Sequence, residues 1–223
     1  MSNSNSLQHS LGARLQAVAS RLTGSPWFWV GLITLISGAS LIRAVRVNLP
    51  EPMPMLGQIP EFSLIDQHER PFGSKELRGK VWIANFIFTR CPTVCPAFTE
   101  KMSEIQHRTR GLGNLFHLVS FSVDPDYDTP ERLKVFATKF RASPATWRFV
   151  TGPLDQVKAT VSDGLKVAMG NDGPEGTFEG IFHGSHMVVV DRQGQIRKFI
   201  DANDEDAVER AVKAAGLIAN RGG

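Results

Sequence analysis

The sequence predicts an α/β domain with a mixed sheet and flanking helices, preceded by an N-terminal transmembrane helix. Three observations predict this architecture. From about residue 60, short β-prone runs alternate with amphipathic segments. One run, residues 81–88, is almost continuously apolar, as in a strand that is covered on both faces. Near the N-terminus, an uncharged run is long enough to cross a bilayer.

The uncharged run holds 21 consecutive residues between Arg21 and Arg43. A helix of that length spans about 30 Å, which matches one hydrocarbon core. A signal peptide has a shorter apolar region and a small-residue cleavage site, so we interpret residues 22–46 as an uncleaved anchor. Residues 1–21 form an N-terminal tail before it, and residues 47–58 form a stiff, proline-rich linker after it.

The remaining residues, 59–223, form the predicted domain. Asparagine, threonine and proline residues mark the helix starts: a helix begins at Pro96, another at Pro130 behind a Thr129 N-cap, and the last behind Asn203. A further helix covers residues 154–162. Strands are predicted at residues 62–65, 81–88, 118–123, 147–150, 187–190 and 196–200. A thioredoxin-like arrangement has this order, with its redox loop between the first main strand and the next helix.

The charge distribution argues against nucleic-acid binding. The net charge is +3, but residues 1–50 contain four Arg and no Asp or Glu. Residues 51–223 carry 21 Lys and Arg against 22 Asp and Glu, so the domain has no basic surplus. The acidic loop Asp124, Asp126 and Asp128 lacks EF-hand spacing, and we interpret it as ordinary helix entry rather than as a cation site.

The two cysteines, Cys91 and Cys95, form the candidate site. They lie where a buried strand ends and a helix begins, and Cys95 directly precedes Pro96. Unpaired backbone amides at a helix start, together with Arg90, are expected to stabilise a thiolate there. Two converging thiolates either close a disulfide or hold a soft metal such as Cu(I), and an added imidazole suits copper in either oxidation state.

Three motifs resemble those of the Sco/SenC family. The first is residues 85–96, NFIFTRCPTVCP, and the second is residues 122–130, SVDPDYDTP. The third comprises His183 and the later run of residues 188–194, VVVDRQG. The anchor, the linker and the alternation after residue 60 also fit, so the resemblance covers nearly the whole chain.

The resemblance implies a membrane-anchored, thioredoxin-like copper metallochaperone that helps assemble the binuclear copper centre of cytochrome c oxidase. By position, its copper ligands, for Cu(I) or Cu(II), are Cys91, Cys95 and His183. Its partners are then the copper-bearing oxidase subunit, the membrane, and other copper carriers or thiol oxidoreductases. Its place is the bacterial inner membrane with the domain facing the periplasm, or the mitochondrial inner membrane facing the intermembrane space.

Two alternatives stay open. His186 follows His183 closely and is the other candidate imidazole, although only His183 keeps the family's distance to Asp191. The function is alternatively that of a thiol–disulfide oxidoreductase, in which Cys91 and Cys95 are a redox pair that reduces the copper-ligand cysteines of the oxidase subunit. Whether the chain is an enzyme depends on this choice.

Overall fold

The computed structural model describes residues 24–47, 53–92, 94–173 and 180–221. Contacts divide the chain into two units, residues 1–52 and 53–223. The predicted tail, residues 1–21, and residues 48–52 of the predicted linker lie outside the described residues. In the first unit, helix α1 (Pro26–Val47) contains a stretch, Pro26–Arg43, that is long and apolar enough to cross a membrane. A signal sequence near the N-terminus also passes this test of length and composition, so the test alone does not distinguish it from an anchor.

Within the described residues, the second unit is built on an eight-stranded mixed sheet. The strands of this sheet are β1 (Gly57–Gln58), β2 (Ser63–Asp66), β3 (Pro71–Gly73), β4 (Val81–Ile87), β5 (Phe116–Ser122), β6 (Trp147–Thr151), β9 (His186–Val190) and β10 (Gln195–Asp201). Their order in the sheet is β1-β10-β9-β4-β5-β6-β2-β3. The centre consists of the parallel strands β4, β5 and β6, and the outer strands are antiparallel. A separate hairpin consists of β7 (Met169–Asn171) and β8 (Ile181–His183).

Helices cover the sheet and close its core. Every residue of β4 and β5 is buried, as the apolar run at residues 81–88 predicts, and the largest buried side chains include Trp82 and Trp147. The helices are α2 (Ser74–Leu77), α3 (Val94–Thr109), α4 (Pro130–Lys139), α5 (Leu154–Lys158) and α6 (Ala207–Arg221). Residues 159–164 continue α5 as a π-helical turn. The Thr129 side chain caps α4, as predicted.

The last helix begins later than the sequence predicts. We expected Asn203 to cap a helix whose first turn is residues 204–206, but α6 starts at Ala207. The reason is that the Asn203 side chain and its backbone amide both donate to Asp201 Oδ1 at 2.9 Å, which makes a turn directly after β10.

The end of the predicted linker is part of the sheet. Gly57 and Gln58 form β1 and pair with β10, and the Leu56 amide donates to the carbonyl of Ile196 at 2.8 Å. Arg197 Nη1 also donates to the carbonyl of Met53 at 3.0 Å. The described residues from Met53 onward therefore pack with the domain.

Candidate metal centre

The segment from Cys91 to Cys95 joins the end of β4 to the start of α3. Val94 is the first residue of α3, so Cys95 lies in the first helical turn, close to its predicted place. Both cysteines are free thiols and both are buried. We expected the helix start and Arg90 to stabilise a thiolate, but burial raises the pKa of Cys95, and Cys91 beside it adds to the increase. The shift is opposite to that expectation because desolvation outweighs the backbone hydrogen bond that lowers the pKa of Cys95.

Arg90 forms an ion pair with the acidic loop that follows β5. Its Nε donates to Asp124 Oδ2 at 2.6 Å and its Nη2 donates to Asp124 Oδ1 at 3.2 Å. The guanidinium also lies 4.6 Å from the ring centre of Tyr127. Because its charge is paired with the Asp124 carboxylate, Arg90 ties the cysteine segment to this loop.

Asp128 is a buried carboxylate that holds the start of the cysteine segment. It accepts hydrogen bonds from the backbone amide and the hydroxyl of Thr89, and from the hydroxyl of Ser122 at 2.7 Å. Burial raises its pKa because these bonds offset only part of the desolvation. We had interpreted Asp128 as helix entry, so this role was missed. The available signal was an acidic residue placed soon after a β-prone run, which the structure shows to be a fully buried strand.

His183 lies on the hairpin of β7 and β8. Met169 pairs with His183, and Gly170 pairs with Phe182. A Cβ atom added at Gly184 would lie 2.8 Å from Val167 Cγ1, so glycine lets the chain pass close to the domain at this point. Residues 170–184 are rich in glycine, but strands β7 and β8 form both ends of this segment, and residues 174–179 lie outside the described part.

The imidazole of His183 meets the thiol of Cys95 across 88 residues of sequence. Its Nε2 lies 3.6 Å from Cys95 Sγ, and its Nδ1 lies 3.1 Å from the carbonyl oxygen of Gly184. A carbonyl only accepts, so Nδ1 carries the hydrogen and Nε2 presents its lone pair to the thiol. Burial lowers the pKa of His183, which favours this neutral form. The ring of Phe88 packs edge-on against the imidazole at 6.0 Å.

Cys91 lies beside this pair. Its Sγ accepts a weak hydrogen bond, 3.5 Å long, from the backbone amide of Cys95. Within the described residues, however, no three His, Cys, Asp or Glu side chains form a compact metal-binding group. A three-ligand site therefore requires a rearrangement of side chains around the contact between Cys95 and His183.

His186, the other candidate imidazole, occupies a different position. It is the first residue of β9, it is exposed, and it pairs with Asp201 of β10. Its ring packs edge-on against Phe199 at 6.4 Å. The hydrogen bond to Cys95 belongs to His183, so the geometry favours His183 over His186 as the imidazole of the site.

Together, these elements define a class of protein. The domain is thioredoxin-like, and a C-x-x-x-C thiol pair lies where its central strand β4 ends, with an imidazole facing the second thiol. Such a donor set has two chemical uses, which are reversible disulfide formation and coordination of a soft cation.

Sequence comparison gives the family. A sequence model of the SCO1/SenC family matches residues 55–218. The SCO1 protein homolog of Bacillus subtilis is 31% identical over 169 residues, which are 74% of this chain and 86% of that protein. A putative copper-binding protein of Stutzerimonas stutzeri is 29% identical over 155 residues, or 67% of this chain and 72% of that protein. The chain belongs to the SCO1/SenC family.

Solved structures confirm the thioredoxin-like fold. A SCO1/SenC family lipoprotein from Bacillus anthracis is 33% identical, with a TM-score of 0.66 over 73% of this chain and 95% of that one. BsSco, a Sco-family cytochrome c oxidase assembly protein with a disulfide switch, is 27% identical, with a TM-score of 0.66 over 76% and 98%. Yeast Sco1 with copper bound is 25% identical, with a TM-score of 0.60 over 72% and 88%.

Proposed function

We propose that this chain is a membrane-anchored copper metallochaperone that assists assembly of the binuclear copper centre of cytochrome c oxidase. The domain binds one copper ion through Cys91, Cys95 and His183 and passes it on to the copper-bearing oxidase subunit. Support comes from the family, from relatives described as copper-binding or as oxidase assembly proteins, and from the donor set of this chain.

The contact between Cys95 and His183 is the observation that carries the proposal. An imidazole held on Gly184 through Nδ1 offers Nε2 in a fixed direction, which is how ligating histidines are commonly oriented. Cys95 Sγ lies 3.6 Å from that nitrogen. Once the thiol loses its proton, the sulfur and the nitrogen are two neighbouring donor atoms for a metal ion. Two thiolates and one imidazole form a soft set that suits copper.

A copper ion that binds at this site has to displace protons from the thiol ligands. Cys95 is a buried thiol with a raised pKa, so copper competes with a proton for the sulfur. Such competition makes binding reversible, and a carrier that hands on its cargo needs a reversible site. The apolar helix α1 is proposed as the anchor that keeps the domain at the bacterial inner membrane, facing the periplasm, with the mitochondrial inner membrane as the alternative.

A matched pair of variants tests the ligand set. Copper binding by the full chain, reduced and in detergent, is measured by competition with a chelator. We expect one copper per chain, loss of binding in Cys91→Ser and Cys95→Ser, and at least tenfold weaker binding in His183→Ala, because one donor is lost. His186→Ala removes the neighbouring imidazole and should bind like the parent. Unchanged affinity in His183→Ala would refute the proposed ligand set.

Thiol–disulfide exchange is the second candidate function. The thiols adjoin at the start of α3, and a related structure is described as having a disulfide switch. In this reaction Cys91 and Cys95 form a disulfide, and their two electrons and two protons pass to a disulfide of the partner. His183→Ala discriminates the two functions, since it should leave the exchange rate nearly unchanged while copper binding falls. Burial and the raised pKa of Cys95 disfavour fast exchange.

A further inference from the structure

A polar concavity lies at the end of the sheet opposite the cysteine pair. Its volume is about 520 Å³. Lys80 directly precedes β4 and His117 lies at the start of β5, so the concavity adjoins the amino ends of the parallel strands, whereas Cys91 follows the carboxyl end of β4. We call it the Lys80 pocket, and the lining residues that matter below are Asp66, Arg70, Glu76, Lys80, His117 and Arg148.

The buried carboxylate of the pocket, Asp66, already accepts as many hydrogen bonds as its two oxygens allow. Asp66 Oδ1 accepts two backbone amides of the turn between β2 and β3. Its Oδ2 accepts from the Arg70 guanidinium at 3.0 Å and lies 3.5 Å from Arg148 Nε. One carboxylate thus serves two guanidinium groups, and it has no remaining capacity for a third cation.

Lys80 is that third cation. Its Nζ lies 3.5 Å from His117 Nε2, and no carboxylate of the described residues lies within 4 Å of it. Glu76, the other acid of the pocket, is exposed and accepts the backbone amide of Gly73 at 2.7 Å. Burial lowers the pKa of Lys80, and the nearby charge of Arg148 lowers it further, while the more distant charge of Glu76 offsets only part of this decrease. The pocket therefore concentrates positive charge that the protein does not fully neutralise.

His117 lines the pocket beside Lys80. It is 5% exposed, and its Nδ1 makes no well-formed hydrogen bond among the described residues, although a contact with the Phe116 backbone partly offsets the fall of its pKa. An ammonium group only donates, so Nε2 accepts from Lys80 and Nδ1 carries the ring hydrogen. The partner of Lys80 is therefore a neutral acceptor, and it supplies no negative charge to the pocket.

We propose that the Lys80 pocket binds a small oxyanion of the phosphate class. A tetrahedral oxyanion supplies the acceptors and the negative charge that Lys80 lacks, and the planar donors of Arg148, which Asp66 only partly uses, suit phosphate geometry. Free phosphate and the phosphate head group of a phospholipid share this chemistry. The site is independent of the proposed copper centre.

Thermal unfolding of the full chain in a non-ionic detergent, reduced and without added copper, tests this site. Inorganic phosphate should raise the unfolding midpoint saturably, whereas sodium chloride at equal ionic strength should not. Lys80→Met should weaken the apparent phosphate affinity at least tenfold. Lys134→Met makes the same charge change on exposed α4 and should leave it unchanged.

A second variant separates binding from folding. Arg148→Lys keeps the charge but removes the planar donors, so it should weaken phosphate binding severalfold even if Lys80→Met fails to fold. Dihexanoylphosphatidylglycerol, a soluble phospholipid, distinguishes the two possible ligands. If it competes with phosphate for the pocket, the ligand is a lipid head group. If only inorganic phosphate stabilises the chain saturably, the ligand is the free anion. The proposal is overturned if neither compound stabilises more than chloride does, or if no pocket variant differs from Lys134→Met.

Discussion

Desolvation shifts three ionisable side chains at the candidate metal centre. Burial raises the pKa of the Cys95 thiol and of the Asp128 carboxyl, and it lowers the pKa of the His183 imidazole. In all three, burial moves the protonation equilibrium towards the neutral form, while the ion pair between Arg90 and Asp124 holds the cysteine segment beside them. A soft cation entering between Cys95 and His183 replaces a proton and not a counter-ion.

His117 predicts a pH dependence of stability. Burial, together with Lys80 and Arg148, lowers its pKa from 6.5 to about 4. The folded pKa lies below the unfolded value, so this contribution to stability is complete above pH 6.5 and is lost as pH falls towards 4. The free energy of unfolding, measured with urea, should therefore fall by up to about 3 kcal/mol across that interval on account of this group.

Two histidine variants isolate this contribution. His117→Gln should flatten the slope of unfolding free energy against pH between 6.5 and 4, whatever its effect on stability at neutral pH. His107→Gln changes an exposed histidine on α3 and should keep the slope of the parent. Equal slopes in the parent and in His117→Gln would contradict the assignment.

At the scale of elements, the placement of His183 depends on how closely the β7–β8 hairpin approaches the domain. The chain turns from β8 towards β9 at Gly184, which also supplies the carbonyl that orients the imidazole. Val167 is buried and β-branched, so it has little freedom to move away from a new Cβ atom at that position. The packing of one glycine thus connects the hairpin to the candidate metal centre.

Gly184→Ala should destabilise the domain by about 1–3 kcal/mol and weaken copper binding, because the added methyl group overpacks Val167 and displaces His183. Urea unfolding and chelator competition measure the two effects. The double variant Gly184→Ala/Val167→Ala removes the clash and should recover much of the copper affinity. Gly216→Ala, whose Cβ would meet nothing within 4 Å, is the neutral control. Parental affinity in Gly184→Ala would show that the hairpin does not place the ligand.

The elements differ in how far the sequence predicts them. The strands β4, β5, β6, β9 and β10 carry long apolar or β-prone runs, and each was predicted within two residues of its observed bounds. The short strands β1, β7 and β8 have two or three residues, too few for a periodicity, and they exist because tertiary pairing overrides composition. The start of α6 was misplaced because Asn203 bonds backwards to Asp201.

The residues of the candidate site also differ in how far the sequence predicts them. The thiol pair was predicted from its place between a strand and a helix, whereas His183 came from a family resemblance, since a lone histidine 88 residues away gives no local signal. The bonds from Thr89 to Asp128 and from Arg90 to Asp124 join segments that are far apart in sequence. The raised pKa of Cys95 depends on burial by the whole fold and contradicts what the local helix start suggests.

At the scale of the whole molecule, the boundary of the domain is testable. Composition places the linker at residues 47–58, but residues 53–58 bond to β10 at the edge of the sheet. A fragment that begins at residue 53 keeps these bonds, and one that begins at residue 59 loses them. Three strands, β10, β9 and β4, separate β1 from β5 in the sheet order, so the centre of the sheet remains intact in both fragments.

We therefore expect fragment 53–223 to fold without detergent and to unfold at a higher temperature than fragment 59–223. Loss of two or three net backbone hydrogen bonds costs about 2 kcal/mol, which corresponds to a shift of roughly 5 °C for a domain of this size. Calorimetry of the two fragments measures the difference, and their copper stoichiometry should be the same because β1 is remote from Cys91. Equal unfolding temperatures would assign residues 53–58 to the linker, as composition alone suggests.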